Sequence, residues 1–148
     1  MMVAQKQKIL FLCTGNSCRS QMAEGWARYL HGDRFDVWSA GVETHGLNPS
    51  AVQVMREAGV DISGHHSKLL EELSGLAFDL VITVCGHANE HCPLFPGNTK
   101  VVYHGFDDPP RLAERVSGED EKLDEYRKVC EKIRLFVDEL LIDLMEKN

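Results

Sequence analysis

The sequence contains no apolar run long enough to cross a bilayer. Its longest, "ILFLC" and "LVITVC", fall far short of the roughly 20 residues that a spanning helix needs. Positive charge is scarce: 16 Lys and Arg stand against 23 Asp and Glu, for a net charge of -7. That excludes a broad nucleic-acid grip, which needs a basic face. An anionic ligand must then be held by local potential. The opening "MMVAQKQK" lacks the apolar stretch of an export signal. A paired-cysteine framework is missing too. Cys13, Cys18, Cys85, Cys92 and Cys130 make an odd five. Without an export signal they point to the reducing cytoplasm, where thiols are more often buried, metal-bound or reactive than bridged. No internal repeat or low-complexity stretch interrupts the chain.

What is present is a chain of 148 residues, 43% hydrophobic, enough for a single domain over 1–148 with a substantial core. "QKILFLC" reads as a buried strand. From Ser20, the residues Met22, Ala23, Trp26, Ala27 and Leu30 recur at helical spacing until "HGD". "RFDVWSAG" is a second strand. Asn48 and Pro49 form an N-cap and first turn, and Gly59 closes that helix. "SKLLEELSG" is a short helix candidate. "FDLVITVC" is an almost unbroken apolar strand of the kind covered on both faces, and "TKVVYH" is a fourth strand. From about Leu123 an amphipathic helix runs to the end, with Leu123, Tyr126, Cys130, Ile133, Val137, Leu140 and Leu144 on its apolar stripe. Alternating strands and helices predict an α/β fold: a three-layer sandwich with a four-stranded parallel sheet flanked by helices. Ligands in such folds bind beyond the carboxyl ends of the strands. Cys13, Cys85 and the loop after Tyr103 all fall at that edge.

The segment "CTGNSCRS", Cys13 to Ser20, joins a strand to a helix N-terminus. Loop amides and the helix dipole there form an anion cradle. Gly15 gives the backbone freedom to turn. Asn16 tolerates left-handed geometry and can brace the loop. Arg19 offers a planar fork for two oxygens of a tetrahedral oxyanion. The same field lowers the pKa of a cysteine, and Ser20 is placed to donate to the Cys13 sulfur. The loop therefore predicts an activated nucleophile, Cys13, beside the oxyanion it attacks. The plainer reading is a buried strand cysteine and a solvated arginine.

These residues resemble the phosphate-binding loop of the low-molecular-weight protein tyrosine phosphatase fold. More narrowly, "CTGNSCRSQMAEGWA" is similar to the thioredoxin-coupled arsenate reductases built on that fold. The likeness runs from "KILFLC" through "GFDDP" to the last helix. The phosphatases usually carry proline where this chain has Gln21. They often follow the Asp-Pro pair with tyrosines, where this chain has Pro110, Arg111 and Leu112. The resemblance implies that Thr14, Gly15, Asn16, Ser17, Cys18, Arg19 and Ser20 bind arsenate or phosphate. It further implies that Asp108, the aspartate directly before proline, is the general acid; by composition alone "DDPP" is equally a turn. Cys18 also occurs in the phosphatases and reads as a packed small residue.

The second cysteine pair lies in "CGHANEHC". Its small and polar residues, followed by Pro93 and Pro96, read as a mobile surface segment. Three readings stand for Cys85 and Cys92. They are a strand-end thiol and an unrelated loop thiol, zinc ligands with His87 and His91, or a thiol relay. The resemblance implies the relay. Cys85 attacks the arsenic-bearing Cys13, Cys92 attacks Cys85, and thioredoxin reduces the Cys85–Cys92 disulfide, with no bound cofactor and no metal. The alternative activity within the same likeness is hydrolysis of phosphate monoesters through a cysteinyl-phosphate. Some reductases of this group hold potassium beside the loop. Asn16, Glu24 and Ser39 match three of its ligands, and Lys68 aligns with the fourth, an aspartate. An ammonium there would pair with Glu24 in place of the ion.

Overall fold

The computed structural model describes residues 6–147. The reading of "MMVAQKQK" as lacking an export signal rests largely on residues 1–5, which lie outside it. The sheet has four parallel strands: β1 (Gln7–Cys13), β2 (Phe35–Gly41), β3 (Leu80–Thr83) and β4 (Lys100–Tyr103), in the order β2-β1-β3-β4. Helices flank it: α1 (Arg19–His31), α2 (Pro49–Glu57), α3 (Gly86–Glu90), α4 (Pro109–Ala113) and α5 (Glu119–Glu146). This is the expected α/β architecture.

The two central strands are the most apolar, as covering on both faces demands. Ile9 to Leu12 of β1 and all of β3 are buried. β2 alternates buried and half-buried residues before ending on three buried ones, and the edge strand β4 is largely exposed. Register pairs Cys13 with Gly41, Leu12 with Thr83, and Thr83 with Tyr103, so the strands end together at one edge of the sheet. Helices α1, α2, α4 and α5 pack on one another, burying Met22, Met55, Ile133 and Leu141. Cys130 lies in this core, its sulfur 3.5 Å from Met55 Sδ. Asn48 caps α2 as expected, its Oδ1 accepting from Ser50 and Ala51 N–H groups at 2.8 and 3.1 Å. Gly59 follows that helix with φ 94°.

Four elements differ from expectation. The "SKLLEELSG" helix is a single 3₁₀ turn, Leu70–Leu73. The segment between Cys85 and Cys92 is not irregular: it holds α3, whose Ala88 is buried. Pro109–Ala113 is helical, because a proline in the first helical turn leaves unmade only N–H bonds a helix start would lack anyway. α5 begins four residues before the apolar stripe, with Glu119, Asp120 and Glu121 in its first turn, where carboxylates suit the positive end of the helix dipole. No described helix is long and apolar enough to cross a membrane.

Candidate active site

The loop after β1 is fixed by its neighbour, the chain after β2. Val42, Glu43, His45 and Asn48 donate backbone N–H groups to the carbonyls of Cys13, Thr14, Gly15 and Ser17, at 3.3, 2.9, 2.9 and 3.0 Å. Ser67 Oγ gives Gly15 O a second donor at 2.8 Å. Turning these carbonyls outward turns the N–H groups of the same trans peptides the other way, toward a pocket of about 280 Å³. Cys13, Thr14, Gly15, Ser17, Cys18 and Arg19 line that pocket, and Asp108, Pro110 and His45 complete it.

Asn16 is the left-handed residue, with φ 48°, and it makes every hydrogen bond its amide allows. Nδ2 donates to Ser20 Oγ and Ser39 Oγ at 2.9 and 3.0 Å; Oδ1 accepts from Gln21 Nε2 and the Lys68 amide at 3.0 and 2.9 Å. Gly15 does not have a positive φ, so the expected reason for glycine there is corrected. A Cβ at that position would lie 2.2 Å from His45 Nδ1; glycine is required by packing. Ser20 Oγ is occupied by Asn16, and its expected bond to the Cys13 sulfur is not among the hydrogen bonds of the described residues.

Arg19 reaches across to the loop after β4. Nη1 donates to Phe106 O at 2.9 Å, and Nη2 stands 3.6 Å from Asp108 Oδ1. Its Nε is buried with no protein partner. Nε is thus left for an oxygen of a ligand, and Nη2, shared with Asp108, can turn to a second one. Asp108 sits at the N-cap of α4, partly exposed, on the rim of the same pocket.

A hydrogen bond couples the Cys13 and Cys85 thiols. The bond to Cys85 and burial push the Cys13 thiol up, outweighing Arg19, which pulls it down. The same bond lowers Cys85 to about 5, with help from the Thr14 hydroxyl 3.1 Å away and the Ala88 N–H at 3.4 Å. The direction at Cys13 is thus opposite to the one that the loop and Arg19 alone would give. Cys18 is buried, and desolvation pushes its thiol far up, consistent with a packed residue. Cys92 is half-buried beyond α3, and all five cysteines are free thiols. Among the described residues no three His, Cys, Asp or Glu side chains converge as metal ligands. His87 and His91 stack on each other instead, at 4.2 Å.

Behind the loop lies a second polar cluster. Glu24, 3% exposed, accepts from Ser39 Oγ at 2.6 Å and faces Arg28 Nη1, His65 Nε2 and Lys68 Nζ at 3.3, 3.6 and 3.8 Å. The Lys68 side chain is only 11% exposed. Burial lowers its pKa while Glu24 opposes the shift. Two members of this cluster escaped the sequence reading. Gln21 is fully buried and donates to Asn16 O and His66 O, and its Oε1 receives His65 Nδ1 at 3.0 Å. The only local signal was a glutamine inside the buried face of α1.

A family model described as low molecular weight phosphotyrosine protein phosphatase matches residues 8–148. An arsenate reductase of Halalkalibacterium halodurans is 49% identical over 128 residues, 86% of this chain and 90% of that protein. A solved arsenate reductase in an oxidized state superposes with a TM-score of 0.77 at 31% identity, covering 93% of this chain and 98% of that one. The fold is also that of a Corynebacterium glutamicum thioredoxin-dependent arsenate reductase, with a TM-score of 0.76 at 23% identity, covering 99% of this chain and 66% of that one.

Proposed function

The chain belongs to the low molecular weight phosphotyrosine protein phosphatase family, and we propose that within it the chain is a cytoplasmic arsenate reductase regenerated by thioredoxin. One observation carries the reading. Cys85, a cysteine that phosphate-ester hydrolysis has no use for, sits just beyond β3 beside the cradle, its Sγ 3.1 Å from the hydroxyl of the cradle residue Thr14.

Arsenate enters with its oxygens toward the loop N–H groups and the Nε–Nη2 edge of Arg19. The Cys13 thiolate attacks arsenic. Asp108 protonates the departing oxygen, which leaves as water, and a thiol-bound arsenic(V) ester remains. Cys85, a thiolate favoured by the Thr14 hydroxyl, attacks Cys13 Sγ. The sulfur–arsenic bond breaks, its electron pair goes to arsenic, and arsenite departs, leaving a Cys13–Cys85 disulfide. Cys92 then attacks Cys85 and frees Cys13. Two electrons from the thioredoxin dithiol reduce the resulting Cys85–Cys92 disulfide. The whole of this chemistry lies in one domain, and no bound cofactor takes part.

The test is a comparison of kcat/KM for arsenate, in multiple turnover with thioredoxin, against kcat/KM for an aryl phosphate. Arsenate should be preferred. Efficient ester hydrolysis without arsenate turnover would instead identify a phosphatase.

A further inference from the structure

The pocket has one wall to which no role has been given. His45 lies against the loop where Gly15 has no side chain: a Cβ there would come within 2.2 Å of Nδ1 and 2.4 Å of Cγ of the ring. The residue is held at two points, one on its backbone and one on its ring. Its backbone N–H donates to Gly15 O at 2.9 Å, and its Nε2 lies 2.9 Å from Glu43 Oε1. Glu43 is itself tied to the loop, its N–H donating to Thr14 O at 2.9 Å. Of the residues lining the pocket, only His45, Asp108 and Pro110 come from outside the oxyanion loop. These three therefore set the width of its mouth.

A free tetrahedral oxyanion and its ester present the same oxygens to the loop and to Arg19. They differ in what projects from the remaining oxygen, and that group must cross the rim. We propose that His45 is a specificity-determining residue: its ring, clamped by Glu43 over Gly15, narrows the rim so that the cradle takes the free oxyanion and disfavours esters. This deepens the arsenate reductase reading and rests on it. The pairing also accounts for the loop glycine, since Gly15 and His45 fill one volume between them.

The test uses His45→Ala and Glu43→Ala beside the wild-type enzyme. The His45 side chain is 53% exposed, so its removal leaves the core intact. For each protein, kcat/KM is measured for arsenate with thioredoxin and for para-nitrophenyl phosphate, together with the inhibition constant of inorganic phosphate. In His45→Ala the ratio of ester to arsenate efficiency should rise about tenfold, the scale on which pocket shape discriminates ligands, while phosphate inhibition stays unchanged. Glu43→Ala should shift the ratio the same way, by less. An unchanged ratio, or both activities falling in parallel with weaker phosphate binding, overturns the proposal. If the wild-type enzyme turns over arsenate while the His45→Ala ratio stays fixed, only this inference fails. If the wild-type enzyme hydrolyses the ester but never reduces arsenate, both fail.

Discussion

Between Cys13 and Ser17, four carbonyls accept hydrogen bonds from a chain segment about 30 residues away, and Asn16 is bonded through both atoms of its amide. Between Gly86 and Cys92 the bonds are almost all local: His91 N to His87 O, Cys92 N to Asn89 O, and one tie from Thr83 Oγ1 to Asn89 Oδ1. Two residues beyond Cys92, Leu94 is wholly exposed. One thiol region is held by the rest of the protein, and the other mostly by itself. The difference fits their tasks. A cradle gains by having its donors aimed before the oxyanion arrives. A relay cysteine must travel from one sulfur to another.

The largest effects should separate the two regions by activity. Cys13→Ser should lower both arsenate reduction and aryl-phosphate hydrolysis by roughly 10³-fold or more, since serine stays protonated in the same loop. Cys92→Ser should abolish thioredoxin-coupled turnover and leave ester hydrolysis near wild type. Normal thioredoxin turnover by Cys92→Ser would break the comparison at its root.

Oxidation should sharpen it next. Disulfide geometry needs Cα atoms within roughly 4.4–6.8 Å. α3 fills most of the chain between Cys85 and Cys92, and closing the bond is expected to unwind or bend it. Backbone NMR shifts should move across residues 85–98 and hold across the oxyanion loop. Near-identical shifts for 85–98 in the two redox states would defeat the idea.

In stability, Asn16→Ala removes four buried hydrogen bonds and puts alanine at a positive φ. It should cost about 2–4 kcal/mol and lower the melting temperature by roughly 10 °C. His91→Ala, whose side chain bonds only to His87 O in its own segment, should stay within about 0.5 kcal/mol. Equal losses in the two variants would erase the contrast.

A smaller effect reports on the contact between the regions. Hydrogen bonds to the charged sulfur favour it, so the Cys85 thiolate should form with a midpoint of about 5, read from absorbance near 240 nm. Thr14→Val takes one of those bonds away and should move the midpoint up, leaving less thiolate at a given pH. An unmoved midpoint would show that the hydroxyl does not serve the sulfur.

The smallest expected effect is none. Lys68 already places an ammonium beside Glu24. Arsenate reduction and thermal stability should therefore be indifferent to potassium against sodium at matched ionic strength. A several-fold loss of arsenate affinity in sodium would show that a cation site survives there.

The sequence made the oxyanion loop far easier to read than the segment between Cys85 and Cys92. "ILFL" and "LVIT" carry strand hydrophobicity without interruption, and Asn48-Pro49 is a helix start in two letters. Cys13 and Arg19 could be named as candidates because strand ends converge at one edge in a parallel sheet, whereas only the family resemblance singles out Asp108 from a plain turn. By contrast, "GHANE" has no apolar period to announce α3, and "DPPRL" reads as a turn because prolines mark both turns and helix starts. The links from Gln21 to His65 and from Gly15 to His45 were illegible for another reason. Each joins residues 30 or more positions apart, and no local pattern records a contact of that span.

The bonds from Val42, Glu43, His45 and Asn48 have one more consequence. They carry the β1–β2 ladder past Gly41 into what looks, by backbone shape, like an ordinary surface connection. Deuterium uptake should therefore show no boundary at the end of β2. These four amides should exchange with solvent on the timescale of the neighbouring strand, because releasing any of them means prying the oxyanion loop away from its support. Amides of Gly86 to Cys92 should exchange many times faster.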